Sequence, residues 1–241
     1  MKSLADVPGS GALLRCDTRS QGGDPVSEAD ALIREIQLRN PEARTLLDVA
    51  CGTGANFPRF SESFEVMGLD ASGDMLAIAR ERYPEIPLVE ADMRSFSIER
   101  RFDAIVSVFS GIGYLTEESD LRQAILTMSS HLGPGGVLAL EGWVERDEWW
   151  GPTVSADSCQ TDEFALARVT RSDADGVRSR FTTRYIEATH EGITSIDEDH
   201  VMRLSDPGEF AAAYQQAGLT FERLPSLLRP GRSVYIGMTP T

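Results

Sequence analysis

Short apolar runs alternate with segments of helical periodicity over the first half of the chain, and this alternation constrains the fold more than any other feature. Five apolar runs read as strands, at residues 45–50, 64–70, 87–92, 102–110 and 136–143. Four segments with helical spacing lie beside them, at residues 28–39, 55–62, 72–83 and 117–132. Strands separated by single helices favour right-handed crossovers, which build a parallel sheet with helices on both faces.

The periodicity changes after Trp143, where three longer segments alternate apolar and polar residues as antiparallel strands do. They lie at residues 165–172, 177–188 and 192–205. The sequence "DADG" at 173–176 predicts a hairpin turn, because Asp and Gly tolerate positive φ there. A last helix at 207–217 and strands at 219–224 and 233–240 can then close the main sheet as an antiparallel pair.

These elements predict an α/β fold of the Rossmann-like, doubly wound type, with a mostly parallel seven-stranded sheet and a small antiparallel β insertion. We assign residues 28–143 and 204–241 to the Rossmann-like domain and residues 144–203 to the insertion. Residues 1–27 are polar and contain several Gly and Pro residues, so we expect an irregular arm there.

The charge balance narrows the classes of partner. Lys and Arg total 23 against 38 Asp and Glu, which gives a formal net charge of −15. Such a field repels phosphate backbones and anionic lipid, so we expect neither nucleic acid nor membrane as a partner. No apolar run approaches the length of a membrane span, and no secretory signal is apparent. Three cysteines without C-x-x-C spacing and only three histidines favour a cytoplasmic protein without a metal site.

The first expected strand runs into "LDVACGTGANF" at residues 47–57, which contains the glycines of a ligand-binding turn. Ligands of open parallel sheets bind beyond the carboxyl ends of the strands, and Gly52 and Gly54 would let the backbone approach a ligand closely. A dinucleotide turn has a third glycine three positions after Gly54, where this chain has Phe57. A dehydrogenase is therefore disfavoured. The other interpretation is an ordinary strand end that is rich in small residues.

Acidic residues follow the next two strands. Asp70 ends the second strand and can accept two hydrogen bonds from a ribose diol. Asp92 ends the third, where it can accept from an exocyclic amine while Met93 and Met75 pack against a purine. Each residue alone is more often an ordinary strand-end residue. A glycine turn, an Asp and an Asp-Met pair at three consecutive strand ends form a much more specific pattern than any one of these residues.

With these residues, the chain resembles the class I S-adenosylmethionine-dependent methyltransferases. "LLDVACGTG", "GLDASGDML", "EADMRSF" and "FDAIVSVFSGIGYL" match the successive motifs of that family over about residues 44–142. Within the class, "VFSGIGYL", "HLGPGGV" and "GRSVYIG" are most similar to the N,N-dimethyltransferases of nucleotide-linked aminosugars in macrolide antibiotic biosynthesis. The resemblance implies S-adenosyl-L-methionine as the cofactor. It implies a small-molecule amine as the acceptor, and the most similar members imply the amino group of a dTDP-linked deoxyaminosugar.

The resemblance also assigns roles by position on the cofactor side. It places Asp70 at the ribose, and Asp92 and Met93 at the adenine. The other residues that it places at the cofactor are Ala50, Gly52, Gly54, Ala71, Met75, Val108 and Phe109. The glycines would lie against the methionine part, and the last two residues would line the pocket beside the transferring methyl group.

On the acceptor side, the resemblance points to two catalytic candidates. Tyr114 matches a Tyr or His close to the reacting amine, where it would orient the amine or act as a weak base; a Tyr that only packs is the alternative. His200 matches a histidine suited to proton transfer, although such a residue on a strand is more often structural. Trp143 and Arg232 match substrate-side residues and Arg229 is an additional candidate, the arginines being suited to a diphosphate.

Two departures from the family lie on the acceptor side. The relatives carry a Tyr in an N-terminal stretch that folds over the cofactor, where this chain has Leu14; the arm at 1–27 is expected to cover the active site. After the fifth strand, charged residues interrupt the aromatic residues of "EGWVERDEWWGP". An O- or C-methyltransferase of another small metabolite is therefore an alternative, and a non-catalytic nucleotide-binding module is a remoter one. A homodimer is expected on base rates alone.

Overall fold

The computed structural model describes residues 25–241, so nearly all of the expected arm at 1–27 lies outside the described residues. The helices are α1 (Pro25–Arg39), α2 (Phe57–Phe60), α3 (Gly73–Arg82), α4 (Glu118–Ser130) and α5 (Pro207–Gln216). The strands of the main sheet are β1 (Thr45–Val49), β2 (Glu65–Asp70), β3 (Leu88–Glu90), β4 (Phe102–Ser107), β5 (Leu132–Glu141), β10 (Glu222–Arg229) and β11 (Arg232–Met238). Those of the second sheet are β6 (Thr153–Gln160), β7 (Phe164–Asp175), β8 (Arg178–Thr189) and β9 (Gly192–Arg203). Short 3₁₀ turns lie at Gly111–Tyr114 and Arg146–Glu148.

The main sheet has seven strands in the order β3-β2-β1-β4-β5-β11-β10. β1 pairs in parallel with β2 and with β4, and β4 pairs in parallel with β5. β11 joins β5 in the antiparallel sense and pairs with β10. The strand order reverses between β1 and β4, which is the position where open α/β sheets bind ligands. The Rossmann-like fold predicted from the sequence is confirmed.

Apolar side chains cover both faces of the main sheet. On one face, Leu47 and Ile105 belong to a core with residues of α4 and α5. On the other face, Leu46 and Ala104 belong to a core with residues of α1, α2 and α3. All four of these strand side chains are 0% exposed. Close packing on both faces fixes the carboxyl ends of β1, β2 and β4 relative to one another.

Local sequence signals set the starts of two helices. The Ser72 hydroxyl accepts a hydrogen bond from the Met75 N–H at 3.3 Å and thereby caps the N-terminus of α3. At α5, the Asp206 carboxylate accepts from the Gly208 N–H at 2.8 Å, and Pro207 occupies the first turn. Because the α3 cap follows β2 directly, it also fixes the turn that carries Asp70.

Strands β6 to β9 form a separate antiparallel sheet in that order. Asp175 pairs with Arg178, and Gly176 has φ of 62°, so the hairpin turn falls at the end of the predicted "DADG" segment and just beyond it. The sequence does not predict β6, because "TVSADSCQ" is a polar edge strand with most residues exposed. The division into 28–143 with 204–241 and 144–203 stays a prediction. No helix within residues 25–241 is long and apolar enough to cross a membrane.

Candidate active site

A cavity of about 1280 Å³ lies at the switch point, beyond the carboxyl ends of β1, β2 and β4. Its walls come from the turns after these strands, from α3 and from the 3₁₀ turn Gly111–Tyr114. Tyr114 lines it, together with nine of the ten residues predicted for the cofactor. These nine are Ala50, Gly52, Asp70, Ala71, Met75, Asp92, Met93, Val108 and Phe109.

The glycine turn after β1 faces the cavity at Gly52 and the core at Gly54. Gly52 has φ of 56°, and a Cβ there would meet no atom within 4 Å, so a ligand can approach this backbone closely. Gly54 does not line the cavity, and a Cβ on it would lie 2.4 Å from the Phe57 ring. This glycine makes room for the buried Phe57 ring, and its predicted cofactor contact stays a prediction.

Asp70 ends β2 with its carboxylate bonded to the two neighbouring turns. Its Oδ2 accepts a hydrogen bond from the Gly52 N–H at 2.8 Å, and its Oδ1 accepts from the Ser72 N–H at 2.8 Å. Each oxygen keeps lone-pair capacity for a ligand hydroxyl. The carboxylate is thus held at the cavity wall in a position to receive a diol.

A second carboxyl near Asp70 belongs to Asp48 in β1. Asp48 is 1% exposed, and its Oδ1 has no hydrogen-bond partner within the described part of the chain. Burial, with a smaller contribution from the charge of Asp70, raises the pKa of Asp48 to about 8. The Asp48 carboxyl is therefore uncharged at neutral pH.

Asp92 follows β3 and is held by Arg94. Arg94 Nη2 lies 2.6 Å from Asp92 Oδ2, and Arg94 Nε lies 3.0 Å from Asp92 Oδ1. The side-chain bonds from Arg94, followed by a bond from its backbone N–H, hold the pKa of Asp92 below its usual range. Asp92 is therefore an ionised acceptor at the cavity wall. Arg94 also reaches Asp120 of α4, with Nη1 2.8 Å from Oδ2.

The turn after β4 carries strained backbone at the cavity. Phe109 and Ser110 have φ of 56° and 59°, values that residues other than glycine rarely adopt. Ala50, in the turn after β1, has φ of 59° as well. A Cβ on Gly111 would lie 2.7 Å from the Ala50 Cβ, so the two turns are in contact. Strained residues on two adjacent strand ends are typical of a functional site.

Tyr114 and His200 meet although 86 positions separate them in the sequence. Tyr114 Oη lies 2.9 Å from His200 Nδ1, and His200 Nε2 lies 3.3 Å from Glu198 Oε2. Because an ionised carboxylate only accepts hydrogen bonds, we assign the ring proton to Nε2 and let Nδ1 accept from the Tyr114 hydroxyl. The two predicted catalytic residues therefore form one hydrogen-bonded row with Glu198.

Aromatic rings extend from His200 toward the C-terminal hairpin. The Phe181 ring stacks on His200 with 4.7 Å between centroids, and the Trp143 ring stacks on Phe181 at 5.7 Å. Trp143 Nε1 donates to the Ser179 hydroxyl at 2.9 Å, which fixes the ring. We call Trp143, Phe181 and His200 the aromatic stack.

Arg232 lies at the far end of the aromatic stack, with its guanidinium carbon 4.2 Å from the centroid of the Trp143 ring. Its Nη1 lies 3.3 Å from the hydroxyl of Ser110, in the strained turn after β4. The closest carboxylate within residues 25–241 is that of Glu141, 4.0 Å away. Burial lowers the pKa of Arg232 to about 10. A buried cation with one long ion pair, to Glu141, therefore lies beside the turn that carries Phe109.

The Arg229 side chain is paired with carboxylates inside the protein. Its side chain is 4% exposed, and its guanidinium contacts Glu28 at 2.7 Å and Glu141 at 3.3 Å. The same guanidinium stacks on the Phe109 ring at 4.2 Å. Two buried carboxylates already balance its charge, so Arg229 supports α1 and Phe109. Its contact with a diphosphate stays a prediction.

Three residues of this region are absent from the sequence prediction. Glu198 could have been found, because it lies two positions before His200 and so shares its strand face. Phe181 pairs with His200 across β8 and β9, a register that the sequence alone does not reveal. Arg94 belongs to the matched motif "EADMRSF", but the motif alone attaches no role to it.

The cavity walls suit a cationic adenosine derivative. Asp70 and Asp92 supply acceptors for a diol and an amine. Gly52 exposes backbone without a side chain. Met75 and Met93 supply polarizable apolar surface. Within residues 25–241, no group of three or more His, Cys, Asp or Glu side chains could hold a metal ion. These features fit S-adenosylmethionine, which has a ribose diol, an amino purine and a sulfonium.

Comparison with known sequences gives the same result. A family profile described as a methyltransferase domain matches residues 46–136. A dTDP-3-amino-3,4,6-trideoxy-alpha-D-glucopyranose N,N-dimethyltransferase from Streptomyces venezuelae is 37% identical over 223 residues, which cover 90% of this chain and 92% of that protein. A dTDP-4-amino-2,3,4,6-tetradeoxy-D-glucose N,N-dimethyltransferase from Saccharopolyspora spinosa is 36% identical, covering 91% of this chain and 88% of that protein.

Solved structures agree in fold over nearly the whole chain. The crystal structure of DesVI from Streptomyces venezuelae has a TM-score of 0.90 at 35% identity and covers 100% of both chains. CalS10, an amino pentose methyltransferase from Micromonospora echinaspora solved with its S-adenosylmethionine, has a TM-score of 0.86 at 32% identity, covering 94% of this chain and 96% of that one. The family and the cofactor predicted from the sequence are thereby confirmed. This chain is an enzyme that belongs to the S-adenosylmethionine-dependent methyltransferases.

Proposed function

We propose that this methyltransferase acts on the amino group of a dTDP-linked deoxyaminosugar in secondary metabolism. The two curated relatives are N,N-dimethyltransferases of such sugars, and they align with 90% and 91% of this chain. The observation that carries the proposal is the buried Arg232 guanidinium on the Trp143 ring, with its closest carboxylate 4.0 Å away. Such a cation fits an anionic group of the acceptor, and the diphosphate of a nucleotide sugar supplies one.

We infer the cofactor position from the groups that line the cavity. Asp70 accepts hydrogen bonds from the ribose, and Asp92 accepts from the adenine amine with Met93 against the ring. The methionine part lies along the bare backbone at Gly52. When bound, S-adenosylmethionine supplies a methyl group that is already activated for transfer.

The task of the protein is then to position the amine and to receive its proton. We place the transferring methyl group beside Val108 and Phe109, which line the cavity with Tyr114. Tyr114 Oη accepts a hydrogen bond from the amine and thereby orients the nitrogen lone pair. A proton that leaves the ammonium passes through this hydroxyl to His200 Nδ1, and Glu198 stabilises the imidazolium. Dimethylation requires this step before each transfer, because only a neutral amine attacks.

Replacing Arg232 by methionine tests the acceptor assignment. We expect the KM for a dTDP-linked aminosugar to rise at least about tenfold, because a charge-assisted contact to the diphosphate is lost. The Kd for S-adenosylhomocysteine, measured by calorimetry, should stay within about twofold, because Arg232 lies outside the cofactor site. Arg232→Lys keeps the charge without the planar fork and should give an intermediate KM.

Arg180→Met is the matched control, because it removes an exposed arginine from β8 with the same change of net charge. Its KM should equal that of the wild type. If Arg232→Met binds S-adenosylhomocysteine normally and keeps the wild-type KM, the diphosphate does not bind at Arg232 and the proposed acceptor loses its main support.

The homodimer and the cytoplasmic location favoured by the sequence are further proposals. Sedimentation velocity on the purified chain tests the first, and fractionation of the producing cells tests the second. A single species of monomer mass over the whole concentration range would refute the homodimer.

A further inference from the structure

Arg94 connects the turn after β3 with α4 at the cavity wall. Its side chain bonds Asp92 after β3 and Asp120 in the first turn of α4. Its backbone carbonyl accepts a hydrogen bond from the hydroxyl of Thr127, also in α4, at 2.8 Å. Its backbone and side chain are therefore both fixed. The side chain is nevertheless 43% exposed, so it forms part of the cavity surface and not of the core.

These contacts hold the Asp92 carboxylate in one orientation. Arg94 Nη2 donates to Oδ2 at 2.6 Å, and the Arg94 backbone N–H donates to Oδ1 at 2.8 Å. Arg94 Nε lies 3.0 Å from Oδ1 and 3.1 Å from Oδ2, so a single N–H is shared between both oxygens. Because the Arg94 Nε–H is shared between two acceptors, it makes the weakest of these contacts. A ligand amine can replace one of its two hydrogen bonds, while Arg94 Nη2 and the Arg94 backbone N–H keep the carboxylate in place.

We propose that Arg94 is a positioning residue that determines specificity for the purine. It holds the Asp92 carboxylate in one orientation and in its ionised form, which only accepts hydrogen bonds. In this state, Asp92 selects a 6-amino purine over a 6-oxo purine. The inference rests on the proposed position of the adenine at Asp92. A 6-oxo purine presents an oxygen where adenine presents an N–H, and two acceptors cannot hydrogen-bond to each other. A carboxylate that accepts a hydrogen bond from adenine and loses that bond with a 6-oxo purine favours the amino form.

Calorimetry with S-adenosylhomocysteine and with its inosine counterpart, S-inosylhomocysteine, measures this selection directly. The wild type should bind the adenosine form roughly tenfold to hundredfold more tightly. In Arg94→Met, this ratio should fall about tenfold, mainly through weaker binding of the adenosine form. Arg94→Lys keeps a charge but loses the fork, so its ratio should be intermediate. Arg122→Met is the matched control: it removes an arginine of similar exposure that is paired with Glu118 of α4 and does not line the cavity, and it should leave the ratio within about twofold.

Equal weakening of both ligands in Arg94→Met, or a ratio equal to that of the wild type, would overturn the role of Arg94. Asp92→Asn separates that failure from a wrong adenine position, because an amide can donate to a 6-oxo group and should shift the ratio toward the inosine form. If Asp92→Asn keeps the wild-type ratio, the adenine does not lie at Asp92, and the proposed cofactor position fails with it. If only Asp92→Asn changes the ratio, the cofactor position stands and Arg94 has no part in the selection.

Discussion

Replacing Asp48 by asparagine should stabilise the protein, and more strongly as the pH rises. Asp48 is 1% exposed, and its pKa is raised to about 8, mainly by burial. In the unfolded chain, the same carboxyl titrates near 3.8. Between these two values, the folded protein holds a proton that the unfolded chain has released. The free energy of unfolding of the wild type therefore falls as the pH rises through this window.

The magnitude follows from the separation of the two pKa values. About 4 pKa units at about 1.4 kcal/mol per unit give an upper limit of about 6 kcal/mol above pH 8. Between pH 5 and pH 7.5, the free energy of unfolding of the wild type should fall by up to about 3 kcal/mol relative to that of Asp48→Asn, whose amide does not titrate. Other titrating groups are common to both proteins and cancel in this difference.

Urea denaturation of both proteins without cofactor, at pH 5 and at pH 7.5, measures this quantity. We expect Asp48→Asn to be the more stable protein at both pH values, with the gap in free energy of unfolding widening at the higher pH. A gap of the same size at the two pH values would refute the reasoning, because it would show that Asp48 binds no proton in the folded protein in this range.

Two further predictions concern charged groups at the site. Asp70→Ala should weaken the binding of S-adenosylhomocysteine by about 1.5–3 kcal/mol in calorimetry, because hydrogen bonds to an ionised acceptor are lost; unchanged affinity would remove Asp70 from the cofactor site. Arg229→Met should lower the free energy of unfolding by about 3–5 kcal/mol in urea denaturation, because it leaves Glu28 buried without its cation and Glu141 with only the longer ion pair to Arg232. Glu28→Gln combined with Arg229→Met should recover part of that loss, and a double variant no more stable than Arg229→Met would contradict the pairing.

The main sheet could be predicted because its signals are local. An apolar run predicts β1, and Ser72 with the helical spacing after it predicts α3. The handedness of βαβ crossovers then limits the strand order to few alternatives. Edge strand β6 lacks such a signal. Its polar residues are typical of a loop, and only the pairing with β7 in the structure shows that they form a strand.

The position of Asp70 and Asp92 at one cavity could also be predicted, since each comes at or just after the end of a strand and parallel strands share one carboxyl edge. The acceptor side depends on contacts between distant segments. In the sequence, Arg229 looks the same whether it faces a ligand or Glu28, which lies 201 positions away. Phe181 enters the aromatic stack only through the register of β8 and β9. In the sequence, Gly54 resembles a glycine that faces a ligand, and only the structure shows that it lies against the Phe57 ring.

Mass spectrometry of a dTDP-linked deoxyaminosugar after incubation with the protein and S-adenosylmethionine tests the proposed activity most directly. We expect the nucleotide sugar to gain one and then a second methyl group on its amine, with one S-adenosylhomocysteine formed for each. Fragmentation should locate both methyl groups on the nitrogen. A nucleotide sugar of unchanged mass, from protein that still binds S-adenosylhomocysteine, would contradict the proposed acceptor, and a methyl group on oxygen or carbon would contradict N-methylation.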